Sequence, residues 1–128
     1  MIFRGISRRF STENDRQYEE IGAFWDEFAA RYGRENIEGL GLNWEADSLE
    51  YVLGTTANPA EFPAERFREI YGDADYREVL LPDEGWQSFN GRTAELGMLY
   101  QRIYQDGPLT YEIESFTDDG RCRVRIFR

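Results

Sequence analysis

The sequence predicts an α+β domain made of two tandem β-α-β-β units, which form an antiparallel sheet with two long helices on one face. Three observations predict this fold. Apolar and aromatic residues recur at helical spacing in two separate segments. Each segment is followed by two runs of alternating apolar and polar residues, the pattern of a β-hairpin. The length of 128 residues suits one domain with a sizeable core.

The predicted domain divides into three parts. The first β-α-β-β unit covers residues 1–57, a crossover linker covers residues 58–75, and the second unit covers residues 76–128. The linker pattern predicts a short helix over residues 64–71. Two helices side by side on a shared sheet leave a groove between the halves, and such a groove is a natural small-molecule site.

The first unit opens with an apolar run that predicts a strand over residues 2–10. The helix after it is predicted over residues 15–32 from a stripe of apolar side chains at Tyr18, Ile21, Trp25, Phe28 and Tyr32. Thr12 or Asn14 is placed to cap the start of this helix, and Gly33 is placed to end it.

Two further stretches predict strands before the second helix. Residues 39–56 form two alternating runs around Ala46-Asp47-Ser48, which predicts a hairpin. Residues 76–91 predict a strand that is interrupted at residues 82–85. The second helix is predicted over residues 93–105, from the apolar stripe Leu96, Leu99, Tyr100, Ile103 and Tyr104.

The chain closes with a predicted hairpin, whose first strand carries Glu112 and Glu114. If Asp119-Gly120 is its two-residue turn, Glu114 lies opposite Arg125, and an exposed ion pair explains this carboxylate without any function. Alternatively, Glu114 faces the groove and supplies a negative charge to a ligand, and Glu112 is then the more expendable of the two. The pattern alone leaves both interpretations open, because it does not say which strand face the helices cover.

The net charge of the chain indicates which classes of partner it can bind. The chain has 15 Lys and Arg against 25 Asp and Glu, a formal net charge of −10. Nucleic acids and anionic membranes attract basic surfaces, so we expect no direct nucleic-acid binding and no membrane association. The charge is compatible with a cationic ligand.

The residue types exclude several kinds of chemistry. One Cys and no His rule out a disulfide framework, the usual zinc sites and a His-based catalytic triad. We also find no phosphate-binding glycine loop and no calcium-loop spacing, so we expect no cofactor and no metal. No long apolar run or signal-peptide core is present, which favours a cytoplasmic protein.

Aromatic and acidic residues remain as candidate binding chemistry. Aromatic residues make up 16% of the chain, and several fall near the predicted groove: Trp44, Tyr51, Trp86, Phe89 and Phe116. Ring faces attract a cation by about 0.5 to 2 kcal/mol per contact, and a partly desolvated carboxylate adds a stronger Coulomb attraction. This combination indicates a site for a hydrophobic cation.

Short motifs spread over the chain point to one known family. They are Trp86-Gln87-Ser88-Phe89 on a strand, Ile103-Tyr104 at a helix end, Glu114-Ser115-Phe116 on a strand, and Tyr51 before Gly54 in the first half. By these motifs the chain resembles the GyrI-like small-molecule-binding domain. That domain is the effector-binding part of AraC-type and related bacterial transcription regulators, and it also occurs as a stand-alone protein.

The resemblance implies a stand-alone sensor or sequestering protein for hydrophobic cations, related to multidrug-binding regulators but without their DNA-binding part. It assigns Glu114 as the acid of the site, with Tyr51, Trp86 and Phe116 as its wall. Trp44 is our addition to that wall, from its place in the first hairpin.

Two other functions remain open at this point. The first is hydrolysis of strained electrophiles, with Glu114 as general base and Tyr51 donating to the leaving group. The second is inhibition of a DNA-binding enzyme such as gyrase by an acidic surface. The acidic residues alternate with Arg throughout the sequence, which counts against the second function.

Overall fold

The computed structural model describes residues 1–61, 63 and 65–128. Within them the chain forms one seven-stranded antiparallel sheet and three α-helices, which confirms the α+β class. The strands are β1 Ile2–Ser11, β2 Glu38–Leu42, β3 Ser48–Thr55, β4 Tyr76–Leu80, β5 Gln87–Arg92, β6 Tyr111–Phe116 and β7 Arg121–Phe127. The helices are α1 Arg16–Tyr32, α2 Glu65–Tyr71 and α3 Leu96–Tyr104. The strand order is β4-β1-β3-β2-β6-β7-β5.

Helix α1 lies where the aromatic stripe predicts it, but it begins in a different way. Neither Thr12 nor Asn14 caps it through a side chain. Asn14 and Asp15 instead adopt left-handed backbone angles, with φ of 54° and 57°, as the chain turns out of β1. Asn and Asp tolerate this conformation better than most residues. Gly33 ends the helix as predicted, with φ of 83° and an N–H that donates to Ala29 O at 2.8 Å.

Helix α3 also starts differently from the prediction. A 3-10 turn over Thr93–Glu95 precedes α3, so the α-helical part of the predicted segment 93–105 begins only at Leu96. Helix α2 occupies Glu65–Tyr71 within the predicted linker. The first residue of that predicted helix, Ala64, lies outside the described residues.

The predicted interruption of the strand-like segment 76–91 at residues 82–85 is confirmed, but the two sides of the break do not belong to one strand. The segment forms β4 and β5, which lie at opposite edges of the sheet: β4 pairs with β1, and β5 pairs with β7. Residues 81–86 connect the two edges, and Leu81 and Trp86 of this connection pack with a cluster of buried side chains that includes Leu40 and Ile113. Pro82 has no N–H to continue a strand. The chain therefore leaves β4 at this point and crosses the sheet.

The closing hairpin has a different register from the predicted one. Asp118, Asp119 and Gly120 form its turn, and Gly120 has φ of 84°. Phe116 therefore lies opposite Cys122, which places Glu114 opposite Val124. The predicted pairing of Glu114 with Arg125 is wrong.

Arg125 has another partner. It lies opposite Ile113, and its Nη2 donates to Glu38 Oε2 at 2.8 Å. An ion pair on the solvent face therefore does not account for Glu114.

The sheet is covered on both faces by apolar side chains. The main core lies between the sheet and all three helices; its most buried members include Phe24, Phe28, Tyr51, Leu53 and Phe67. A second cluster on the other face contains Phe3, Leu40, Val52 and Ile113. None of the three helices, over the residues that the structure describes, is both long and apolar enough to cross a lipid bilayer.

Candidate functional site

A pocket of about 570 Å³ lies between α1, α3 and the helix-bearing face of the sheet. This volume falls within the range of roughly 300 to 1,000 Å³ that is usual for small-molecule sites. Its aromatic lining comes from α1 (Tyr18, Trp25), α3 (Tyr100, Tyr104), the sheet (Tyr51, Phe116) and the loop between β2 and β3 (Trp44). Ligand-sized space therefore exists above the centre of the sheet.

The floor of the pocket carries two carboxylates, Glu112 and Glu114, from β6. They share a strand face because side chains alternate along a strand, and Ile113 between them points into the opposite cluster. Glu112 is 5% exposed and Glu114 is 8% exposed. Neither forms a salt bridge within the part of the chain that the structure describes. Buried carboxylates without a cation are energetically costly, so their position calls for an explanation.

A hydrogen-bonded chain holds Glu114 in place. Trp25 Nε1 of α1 donates to the Tyr51 hydroxyl at 2.8 Å, and this hydroxyl donates to Glu114 Oε1 at 2.8 Å. Because Trp25 occupies the hydroxyl as an acceptor, the single hydroxyl proton of Tyr51 is directed at the carboxylate. Tyr51 is 1% exposed, which keeps this arrangement away from solvent.

Two glycines in β2 make room for these groups. Gly39 lies opposite Glu114, and Gly41 lies opposite Glu112. A Cβ at Gly39 would lie 1.9 Å from the Tyr51 hydroxyl, and one at Gly41 would lie 2.9 Å from Glu112 Oε1. The Gly-Leu-Gly run therefore allows Tyr51 and Glu112 to lie across β2.

Glu112 is held from α3. The Tyr104 hydroxyl donates to Glu112 Oε2 at 3.3 Å. The hydroxyl of Tyr100, one helical turn earlier, is buried in the same pocket and makes no hydrogen bond of normal geometry within the described residues. A further hydroxyl therefore lies close to the two carboxylates.

Burial raises the pKa of both carboxyls above their ordinary value of 4.5. For Glu112 the neighbouring charge of Glu114 raises the pKa further, and the Tyr104 hydroxyl lowers it in part. For Glu114 the hydroxyls of Tyr51 and Tyr100 lower the pKa in part. These surroundings thus favour the protonated forms more than water does, and a bound cation would favour the ionised forms.

The positive charge nearest the aromatic wall is paired elsewhere. Arg34 lines the pocket, and its Nη2 donates to Asp26 Oδ1 at 3.0 Å. Its guanidinium lies 5.8 Å from the ring centroid of Trp25 and 5.9 Å from that of Phe116. These distances are at the outer limit of a cation–π contact. Arg34 therefore borders the site without neutralising its floor.

The structure brings together four of the five side chains that the sequence assigns to the site. Trp44, Tyr51, Glu114 and Phe116 all line the pocket. Trp44 does so from a loop rather than from a strand. Trp86 lies on the opposite face of the sheet, where its Nε1 donates to Pro82 O at 2.7 Å and its ring packs on Tyr111 and Phe127. It is placed there because the connection from β4 to β5 crosses that face.

Sequence reasoning missed Glu112, Trp25, Tyr100 and Tyr104 as pocket residues. Two signals could have found them. Glu112 has the same strand parity as Glu114, so a face that exposes one exposes both. Tyr100 and Tyr104 are four residues apart on one helix, so they present a common face.

We expect Glu112→Gln to change stability in a pH-dependent way. Because folding raises the pKa of Glu112, the protonated carboxyl contributes stability that is complete below about pH 4.5 and is lost as the pH rises. The variant should therefore gain about 1 to 2 kcal/mol over the parent near pH 8 and nothing near pH 4. Urea unfolding at both pH values measures this difference. Glu78→Gln, at an exposed ion pair with Arg4, is the control that should show no such gain.

Metal binding has no support in the described part of the chain. No group of three or more Cys, Asp, Glu or His side chains is placed there to hold a metal ion. The two carboxylates on the floor are accompanied by tyrosine hydroxyls and aromatic rings instead. This donor set suits an organic cation better than a divalent metal ion.

Similarity to known proteins adds no residue roles to this pocket. Comparisons of the chain with protein-family models, with curated proteins and with solved structures found no match. The roles argued below therefore depend on the geometry of the pocket and on the residue pattern.

Proposed function

We propose that this protein binds small hydrophobic cations in the pocket between α1 and α3, as a sensor or sequestering protein. One observation carries the proposal: Glu112 and Glu114 are buried on the floor of an aromatic pocket, without a basic partner in the described residues. A bound cation would supply the missing charge.

The lining of the pocket suits both parts of such a ligand. The apolar body of the ligand can pack on Trp25, Trp44 and Phe116, and the faces of these rings attract its positive charge. The carboxylates then discriminate by charge, because Coulomb attraction is stronger where water is excluded. An anion of the same shape would meet repulsion from the floor. The shape of the pocket thus accommodates the ligand, and the charge of the carboxylates selects a cation.

The arrangement of the elements supports an internal duplication. The first half runs β1-α1-β2-β3 and occupies the sheet as β1-β3-β2, while the second half runs β5-α3-β6-β7 and occupies it as β5-β7-β6. The two halves meet where β2 pairs with β6. In this proposal the pocket is a groove at the seam of two repeats, as the GyrI-like resemblance implies, and β4 is an added edge strand.

Four compounds of nearly the same shape test the function. The monocation is 4-tert-butylphenyltrimethylammonium, the neutral isostere is 1,4-di-tert-butylbenzene, and the anion is 4-tert-butylbenzenesulfonate. The dication, 1,4-phenylenebis(trimethylammonium), adds a second positive charge to the same shape. A ligand that binds only the folded state raises the melting temperature by mass action. We expect the monocation to raise it, the neutral compound to raise it less, and the anion to leave it unchanged.

Two outcomes would contradict the proposal. If the anion stabilises the protein as much as the monocation does, the carboxylates do not select the ligand. If none of the compounds changes the melting temperature, and calorimetric titration also detects no heat of binding, the pocket does not bind this class of ligand.

A further inference from the structure

We infer that the pocket is built for two positive charges, so that its preferred ligands are aromatic dications bridging Glu112 and Glu114. This inference rests on the proposed function and specifies its ligand class. It depends on one structural fact that the monocation hypothesis leaves unexplained: the floor carries a second buried carboxylate.

The spacing of the two carboxylates indicates how far apart the charges of the ligand should be. Residues i and i+2 of a strand share a face and lie about 6 to 7 Å apart. Glu112 and Glu114 therefore present two separate carboxylates on one strand face, at a backbone spacing that the two charges of a compact rigid ligand can match. Tyr104 and Tyr51 hold one carboxylate each from opposite sides. The two carboxylates are thus held separately, one by each tyrosine.

Among the residues that the structure describes, the groups around Glu112 supply no positive charge. They are Glu114 on the same strand, Gly41 on β2, Tyr51 on β3, Tyr18 on α1, and Tyr100 and Tyr104 on α3. Arg34 lines the same pocket but is paired with Asp26. A monocation that binds Glu114 would leave Glu112 protonated and unused, whereas a dication could pair with both carboxylates in their ionised forms.

Proton release provides a second, independent signature. Burial and the proximity of the two acids favour the protonated form of at least one carboxyl in the empty pocket. A dication has to ionise both, so the proton leaves to solvent when the ligand binds. A monocation needs only one ionised carboxylate and should release fewer protons. Calorimetry in two buffers of different ionisation enthalpy counts these protons.

The test compares the monocation and the dication on the parent protein and on Glu112→Gln. We expect the dication to bind the parent at least about tenfold more tightly than the monocation does, because it gains a second desolvated charge pair. In Glu112→Gln this advantage should disappear, and so should the extra proton release, whereas Glu78→Gln, outside the pocket on β4, should keep both. The urea unfolding of Glu112→Gln described above shows whether the variant is folded.

The outcomes separate this inference from the function on which it rests. If the monocation binds and the dication binds no more tightly, or if the dication keeps its advantage in Glu112→Gln, the inference is overturned and the proposed function stands. If neither cation binds the parent protein, the proposed function itself fails. Equal proton release by both cations would also count against a two-charge site.

Discussion

Glu114→Gln should weaken binding of the monocation 4-tert-butylphenyltrimethylammonium by about 1.5 to 3 kcal/mol, because the Coulomb attraction of a partly desolvated charge pair is lost. The substitution keeps the shape of the side chain and removes its charge. The Gln carbonyl oxygen can still accept the hydrogen bond that Tyr51 donates to Glu114 Oε1. The fold should therefore survive, and the loss of affinity reports the charge alone. Calorimetric titration measures it.

Two comparisons make this result specific. The neutral isostere 1,4-di-tert-butylbenzene should lose little affinity, because it makes no charge contact with the floor. Glu78→Gln removes a carboxylate from an exposed ion pair on β4 and should leave both affinities unchanged. Equal, small losses for the monocation and the neutral compound in Glu114→Gln would mean that Glu114 does not bind the ligand.

Gly39→Ala should destabilise the protein by about 2 to 4 kcal/mol, through overpacking and the loss of hydrogen bonds. The added Cβ would lie 1.9 Å from the Tyr51 hydroxyl and 2.6 Å from its Cζ. Tyr51 is fully enclosed, so it cannot move aside without breaking its hydrogen bonds to Trp25 and Glu114. Urea unfolding at neutral pH measures the free energy of unfolding, and the same variant should also bind the monocation more weakly.

The controls for Gly39→Ala come from the same chain. Gly22→Ala in α1 adds a Cβ with nothing within 4 Å and should gain up to about 1 kcal/mol, since Ala favours a helix. Tyr51→Phe removes the nearest contacting atom, so Gly39→Ala should cost less in that background than in the parent, a coupling that a double-mutant cycle detects. A cost for Gly39→Ala that is small, or unchanged by Tyr51→Phe, would contradict the role assigned to this glycine.

Several features of the fold followed from local pattern. The aromatic stripe predicts α1 at residues 15–32, and the helix spans Arg16–Tyr32. The alternating runs predict both hairpins, and both form. Each of these signals arises from neighbouring residues: a helix repeats its face every three or four residues, and a strand every two. A single sequence carries that information directly.

The strand register of the closing hairpin could not be predicted from local pattern. Asp119-Gly120 suggests a two-residue turn, but the turn contains Asp118 as well, and the register shifts by one position. A one-residue shift changes the partner of every side chain on the strand. Glu114 therefore does not lie opposite Arg125 as predicted. Arg125 instead pairs with Glu38 from the other half of the chain.

The sequence by itself determined the α+β class, the places of the main helices and hairpins, and an acid on the strand of Phe116. Only the tertiary structure decided which sheet face holds the pocket, that Glu112 lies in it, and that Trp86 lies on the opposite face. It also decided that Trp25, Tyr51 and Glu114 form one hydrogen-bonded chain. The physical reason is range: periodicity and turn preference act between neighbours, whereas strand order, register and burial depend on residues far apart in sequence that meet only when the chain folds.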